Sequence, residues 1–137
     1  RRIIVKDLTW DNTLSVQIPE IDGDHRRLGD LFNMLCHSVA EGDPADYFEA
    51  VMEELISCTV WHFRHEERLM LKYAYAGFED HKAEHQELIE SARALQQKCL
   101  QDGKPVSSEE INFLERWLTG HILGADMDLG LYLGEKM

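Results

Sequence analysis

Residues 61–70 read Trp-His-Phe-Arg-His-Glu-Glu-Arg-Leu-Met, and this stretch decides the fold of the chain. His62 and Glu66 are four residues apart, so on a helix they are stacked neighbours on one face. Apolar residues continue that face from Phe48 to Tyr73 with a helical period. A histidine and a carboxylate therefore lie on the inner face of a long helix, where polar groups need partners or a bound ion.

Three further segments on either side of this stretch repeat the 3.6-residue apolar period, with helix-breaking residues between them. Gly103 follows the third segment, and Ser107 with Glu110 forms a capping box before the fourth. The pattern predicts an all-α fold, an up-down-up-down four-helix bundle in residues 19–134. An N-terminal extended segment, residues 1–18, precedes the bundle.

Composition limits the partners and the compartment. The 137 residues suit one domain, 1–137, and 26 acidic against 14 basic residues give a net charge of −12, which argues against nucleic acid as a partner. No apolar run approaches the roughly 18 residues of a membrane span, so no direct membrane insertion is expected. Cys36, Cys58 and Cys99 are odd in number and lack a CxxC pair, which favours reduced thiols and a cytoplasmic protein.

Five of the seven histidines fall within the apolar helical patterns: His25, His62, His81, His85 and His121. His81 and His85 repeat the four-residue spacing of His62 and Glu66. Imidazole nitrogens suit iron, zinc, copper and nickel, a carboxylate can bridge two ions, and calcium or magnesium would need more oxygen ligands. The set therefore predicts a buried, paired transition-metal centre. His37 and His65 are expected to lie outside it.

Spacing alone does not identify the second carboxylate of this centre. Asp126 follows His121 by five residues, which is a rotation of about 140° on an ideal helix. Asp126 reaches the inner face only if it leans inward or if the helix widens locally, as in a π-type bulge, and Gly124 lowers the cost of such a distortion. Asp128 is nearly in line with His121 but about 10 Å further along the axis. Spacing alone leaves both residues open.

Taken together, these motifs resemble a hemerythrin domain of the bacterial type. The resemblance covers residues 10–133 and rests on these elements: His25 after Asp22-Gly23-Asp24, the run 62–70, His81-x3-His85, and Trp117-Leu118-Thr119-Gly120-His121-Ile122 followed by Asp126. It implies a non-haem di-iron centre with an oxo or hydroxo bridge that binds O2 reversibly, in a binding protein rather than an enzyme. One iron would keep an open position for O2.

The resemblance also implies a role for each residue. The implied metal ligands are His81, His85 and His121 on one iron, His25 and His62 on the other, and Glu66 and Asp126 as bridges between them. The expected lining of the O2 pocket is Phe63, Trp117, Leu118 and Ile122. Apolar side chains at those positions would keep water from the iron.

Two alternatives remain at this stage. A di-iron redox enzyme, a peroxidase or a nitric-oxide-reactive protein, would share the bundle, but the ferritin-like kind draws its ligands from repeated Glu-x-x-His motifs that the helical stripes lack. A structural zinc domain would need neither an open position nor a pocket. If the five histidines were only buried core residues with no metal, each would need its own hydrogen-bond partner.

The biological role depends on what the domain is attached to. O2 sensing, transport and storage all fit a reversible binding site. The chain begins with Arg1-Arg2-Ile3 rather than a methionine, which raises the hypothesis of a sensory module covalently linked to a signalling module. In that case residues 3–8 would carry the signal, and helix ends near them should exchange hydrogen differently in the diferrous and diferric forms.

Overall fold

A computed structural model describes residues 11–137, and it confirms the all-α four-helix bundle. The helices are α1 (Pro19–Ala40), α2 (Ala45–Lys72), α3 (Phe78–Asp102), α4 (Ser108–His121) and α5 (Met127–Lys136). A π-helical turn, Ile122–Asp126, joins α4 and α5 into the fourth bundle helix. That helix ends two residues after the predicted boundary at 134. No helix in the described range is long and apolar enough to cross a membrane.

Local sequence signals explain where the helices begin and end. Pro19 starts α1, a position where its missing N–H costs nothing. The Ser107 side chain accepts from the Glu110 N–H, and the Glu110 side chain accepts from the Ser107 N–H, which is the predicted capping box of α4. Gly103 has φ of 64° and terminates α3 in the left-handed conformation that glycine adopts without strain.

The inner faces of the helices form one apolar core. Each helix supplies side chains that are at most 8% exposed, for example Phe32, Met52, Leu95, Leu114 and Leu133. Short connections make consecutive helices antiparallel neighbours, so α1 packs on α2 and α2 on α3. The metal-site residues interrupt this core, which surrounds them with apolar side chains.

Ser15 and Val16, which lie shortly before α1, contact two helices of the bundle. A single 3₁₀ turn, Asn12–Leu14, interrupts the predicted extended segment. The Asp22 carboxylate then accepts from the Ser15 hydroxyl at 2.6 Å and from the Val16 N–H at 2.8 Å. On the other side, Val16 lies against Gly130 of α5 so closely that a Cβ there would collide with the Val16 carbonyl oxygen. Residues 3–8, the predicted signal-carrying segment, lie outside the described part of the chain.

Candidate metal centre

All seven predicted ligands meet in one buried cluster between the four bundle helices. The contributions are His25 from α1, His62 and Glu66 from α2, His81 and His85 from α3, His121 from α4, and Asp126 from the π-helical turn. Glu66 and Asp126 have no exposed surface, and each of the five histidines is at most 6% exposed. Two carboxylates in an apolar interior need compensating cations or protons.

The π-helical turn brings Asp126 into the cluster. The turn spans Ile122–Asp126 and is a local widening, one of the two ways in which Asp126 was expected to reach the inner face. As a result Asp126 Oδ1 lies 2.9 Å from His121 Nε2, while Asp128 is exposed to solvent. The alternative that spacing left open, Asp128, is therefore remote from the cluster.

The five histidines form two sets around the carboxylates. We call His81, His85 and His121 the three-histidine set, and His25 and His62 the two-histidine set. Glu66 Oε1 lies 3.0–3.9 Å from the Nε2 atoms of the three-histidine set, and Oε2 lies 3.3 and 3.8 Å from those of the two-histidine set. Each set thus shares one oxygen of the same carboxylate.

Asp126 divides its oxygens in the same way. Its Oδ1 lies 3.0 Å from His81 Nε2 and 2.9 Å from His121 Nε2, and its Oδ2 lies 2.9 Å from His25 Nε2. Both carboxylates therefore have the orientation of bridges between two adjacent binding positions. One position is surrounded by three imidazoles and the other by two.

Three further carboxylates contact predicted ligand histidines from outside the cluster. Asp24 Oδ2 accepts from His62 Nδ1 at 2.8 Å. Glu67 Oε2 accepts from His85 Nδ1 at 2.8 Å, and Glu84 Oε1 accepts from His121 Nδ1 at 2.6 Å. None of these three acidic residues was predicted to contact the centre, although each is adjacent in the chain to a predicted ligand: Asp24 precedes His25, Glu67 follows Glu66, and Glu84 precedes His85.

These outer contacts determine which nitrogen is available for a metal. An ionised carboxylate only accepts hydrogen bonds, so the Nδ1 atoms of His62, His85 and His121 carry the protons. In the neutral imidazoles the Nε2 atoms then have lone pairs, and at the centre these lone pairs face carboxylate oxygens, which also only accept. Acceptors that face acceptors require a cation, and an N/O donor set of this kind suits iron or a similar transition metal.

The acid–base properties point the same way. Burial lowers the pKa of His62, but Asp24 and Glu66 outweigh it and raise the pKa to about 9. For His81 and His121, the carboxylates of Asp126 and Glu66 likewise outweigh burial and raise the pKa to about 9 and about 11. Protons thus occupy the cluster when no metal does, and metal binding must displace them.

A small apolar cavity adjoins the two-histidine set. Its volume is about 10 Å³, roughly the space for one water-sized molecule. The four residues predicted to line the O2 pocket all lie in its wall: Phe63, Trp117, Leu118 and Ile122. Leu28, Thr59 and Leu88 also line it and were not predicted. The Thr59 hydroxyl donates to the Leu55 carbonyl at 2.7 Å, so it is satisfied within its own helix.

The two histidines expected outside the cluster do lie outside it. The His37 side chain is 49% exposed, near Glu41 on the surface of α1. His65 is 15% exposed, and its Nδ1 lies 2.7 Å from Asp24 Oδ2, the oxygen that also accepts from His62. Burial raises the pKa of Asp24, but the hydrogen bonds from His62 and His65 outweigh it and lower the pKa below its usual value.

Comparison with known families agrees with this arrangement of helices. Residues 16–131 match the family model described as the hemerythrin HHE cation binding domain. The chain belongs to the hemerythrin family. It is 30% identical over 124 residues to a hemerythrin-like protein of Naegleria gruberi, with 90% of this chain and 92% of the relative covered. It is 33% identical over 119 residues to a bacteriohemerythrin of Pseudomonas paraeruginosa, with 87% and 76% covered.

The hemerythrin fold is equally evident in three dimensions. A crystal structure of wild-type hemerythrin superimposes with a TM-score of 0.84 at 31% identity, covering 92% of this chain and 97% of that one. Family membership makes this a non-haem iron domain that binds O2, and it supports a binding protein rather than an enzyme.

Proposed function

We propose that this hemerythrin domain binds O2 reversibly at two iron ions held by the seven clustered residues. In this proposal the three-histidine set holds one iron, the two-histidine set holds the other, and Glu66 and Asp126 bridge them with an oxo or hydroxo group. The observation that carries the proposal is the division of both buried carboxylates, each of which turns one oxygen to each histidine set. The iron pair would supply the electrons that bind O2.

The surroundings of the two-histidine set support O2 binding there. This iron would have fewer protein ligands than its neighbour. The cavity wall includes both histidines of its set, His25 and His62, but only His121 of the three-histidine set. The wall includes Phe63, Trp117, Leu118 and Ile122, all at most 8% exposed. A dry, apolar wall excludes the water and outside reductants that would end reversible binding.

The decisive experiment combines iron analysis with visible absorption. Protein is reduced without air, exposed to O2 and then deoxygenated, and a spectrum is recorded at each stage. We expect two irons per chain and an absorption band that appears with O2 and disappears without it. Irreversible conversion to the diferric form would favour redox chemistry instead, and a preparation that cannot bind iron would refute the proposal.

The role that we propose for this binding is O2 sensing, transport or storage. For a sensor, a covalently linked signalling module would read the state of the iron through the helix ends. Hydrogen exchange at those ends should then differ between the diferrous and diferric forms. Equal exchange rates would leave transport or storage as the proposed role. Cys36, Cys58 and Cys99 form no disulfide with one another, which supports the cytoplasmic setting that we propose.

A further inference from the structure

The Asp24 carboxylate is shared between two histidines at the two-histidine end of the centre. Its Oδ2 lies 2.8 Å from His62 Nδ1 and 2.7 Å from His65 Nδ1. By contrast, Glu67 and Glu84 each accept from a single histidine within the described residues. His62 thus differs from His85 and His121, because the Asp24 oxygen that accepts from it also has a second donor.

His65 is fixed in place from several sides. Glu20 and Asp24 are one turn apart on α1, and the His65 Nε2 atom lies 3.2 Å from Glu20 Oε2. The His65 ring also lies against Trp61, with 5.9 Å between ring centroids. Its side chain is 15% exposed, so it belongs to the boundary between solvent and the buried centre.

We propose that His65 is a positioning residue that moderates His62 as an iron ligand through Asp24. The inference rests on the proposed function, in which His62 Nε2 binds the iron with the open position. A carboxylate oxygen that accepts from two N–H groups offers less negative charge to either of them. His65 therefore weakens the pull of Asp24 on the His62 Nδ1 proton.

The strength of that pull affects the iron. An outer carboxylate that holds the Nδ1 proton more strongly makes the imidazole a more basic ligand. A more basic ligand stabilises the ferric state relative to the ferrous state that binds O2. Sharing of Asp24 by His65 should thus favour the ferrous state and slow oxidation of the oxygenated protein. Loss of the His65 donor should have the reverse effect.

The test compares iron-loaded variants of the full chain. His65→Leu removes the donor, His65→Gln keeps one, and His37→Leu removes an exposed histidine outside the centre. The readouts are iron content, the rate of autoxidation and the midpoint potential. We expect His65→Leu to keep two irons, to have a lower midpoint potential and to autoxidise up to about tenfold faster. A tenfold change is at the low end of the effects that follow when a metal ligand loses its outer hydrogen-bond partner. His65→Gln and His37→Leu should stay near wild type.

Asp24→Asn supplies the opposite perturbation. Its amide oxygen accepts less strongly from His62, so this variant should autoxidise more slowly and have a higher midpoint potential than wild type. General loosening of the site would accelerate autoxidation in both variants. Opposite signs for His65→Leu and Asp24→Asn are therefore specific to the proposed charge effect, and Asp24→Asn decides the question if His65→Leu takes up less than two irons.

Three results would overturn the inference: unchanged rate and potential in His65→Leu at full iron content, His65→Gln oxidising as fast as His65→Leu, or faster autoxidation in Asp24→Asn. Failure of the proposed function is a different result. It would be seen in the wild-type protein, as missing iron or the absence of a reversible O2-dependent band.

Discussion

Substitution of Ile122 by alanine tests whether the cavity wall protects the iron. The Ile122 side chain is 2% exposed and lines the cavity of about 10 Å³ beside His25 and His62. Alanine removes three carbon groups, which at ~0.8 kcal/mol per buried group amounts to about 2.4 kcal/mol of transfer free energy. The cavity left behind brings the expected loss in the free energy of unfolding to about 3–4 kcal/mol.

This loss of stability should be measurable together with a change in reactivity. For a chain of this length, the thermal unfolding midpoint should fall by roughly 10–15 °C. The enlarged cavity has room for water next to the iron that we propose to have an open position, so the oxygenated protein should autoxidise about tenfold faster, equivalent to about 1.4 kcal/mol of barrier. Thermal unfolding and the decay of the O2-dependent absorption band provide the two measurements.

Two matched substitutions separate the cavity from stability in general. Leu129 is completely buried on α5 but does not line the cavity, so Leu129→Ala should cost similar stability without faster autoxidation. Leu123 follows Ile122 in the chain but is 51% exposed, so Leu123→Ala should change stability by no more than about 0.5 kcal/mol. Equal acceleration in Ile122→Ala and Leu129→Ala, or none in either, would refute the protective role of the wall.

Three other outcomes are expected. Gly130→Ala should lower the free energy of unfolding by about 1–3 kcal/mol because its Cβ meets the Val16 backbone, whereas Gly134→Ala, with open space around it, should raise it by up to about 1 kcal/mol; denaturant titration compares them. In the metal-free protein, His62 and His81 have pKa values raised to about 9, so their stabilisation is complete below about pH 6.5 and is lost as the pH rises through 9. The thermal midpoint of the metal-free protein should fall over that pH range, and a midpoint that does not change with pH would contradict protonation of these two histidines. Chelation of the iron should lower the thermal midpoint, because the free energy of unfolding loses about 4 kcal/mol if free iron had been 1,000 times its dissociation constant. Equal midpoints with and without iron would contradict a metal-linked fold.

Much of the fold could be predicted because the apolar period and the helix signals agree along the chain. The π-helical turn could be predicted only as one possibility. The five-residue spacing of His121 and Asp126 conflicts with a regular helix, so a local widening, an inward lean of Asp126 and the use of Asp128 all stayed open; the structure shows the widening. By contrast, the contact between Gly130 and Val16 could not be predicted, because it depends on where a segment distant in sequence crosses α5.

The outer carboxylates could not be found by looking for apolar stripes. Asp24, Glu67 and Glu84 lie outside the apolar stripes of their helices, and acidic residues at such positions are mostly exposed to solvent. Each accepts from a histidine on the next helix: α1 holds a ligand of α2, α2 one of α3, and α3 one of α4. Such a contact requires knowledge of which helices are neighbours, which periodicity within one helix does not contain.

Helix geometry nevertheless makes these positions intelligible. One residue before or after an inward-facing ligand is a rotation of about 100°, which directs a side chain at the neighbouring helix. The offset is −1 on α1 and α3 but +1 on the antiparallel α2, as a constant sense of rotation around the bundle requires. In the fourth bundle helix the corresponding residue after His121 is Ile122, the first residue of the π-helical turn, and it lines the cavity. The same geometric position thus holds a predicted ligand in place on three helices and contributes to the apolar cavity wall on the fourth.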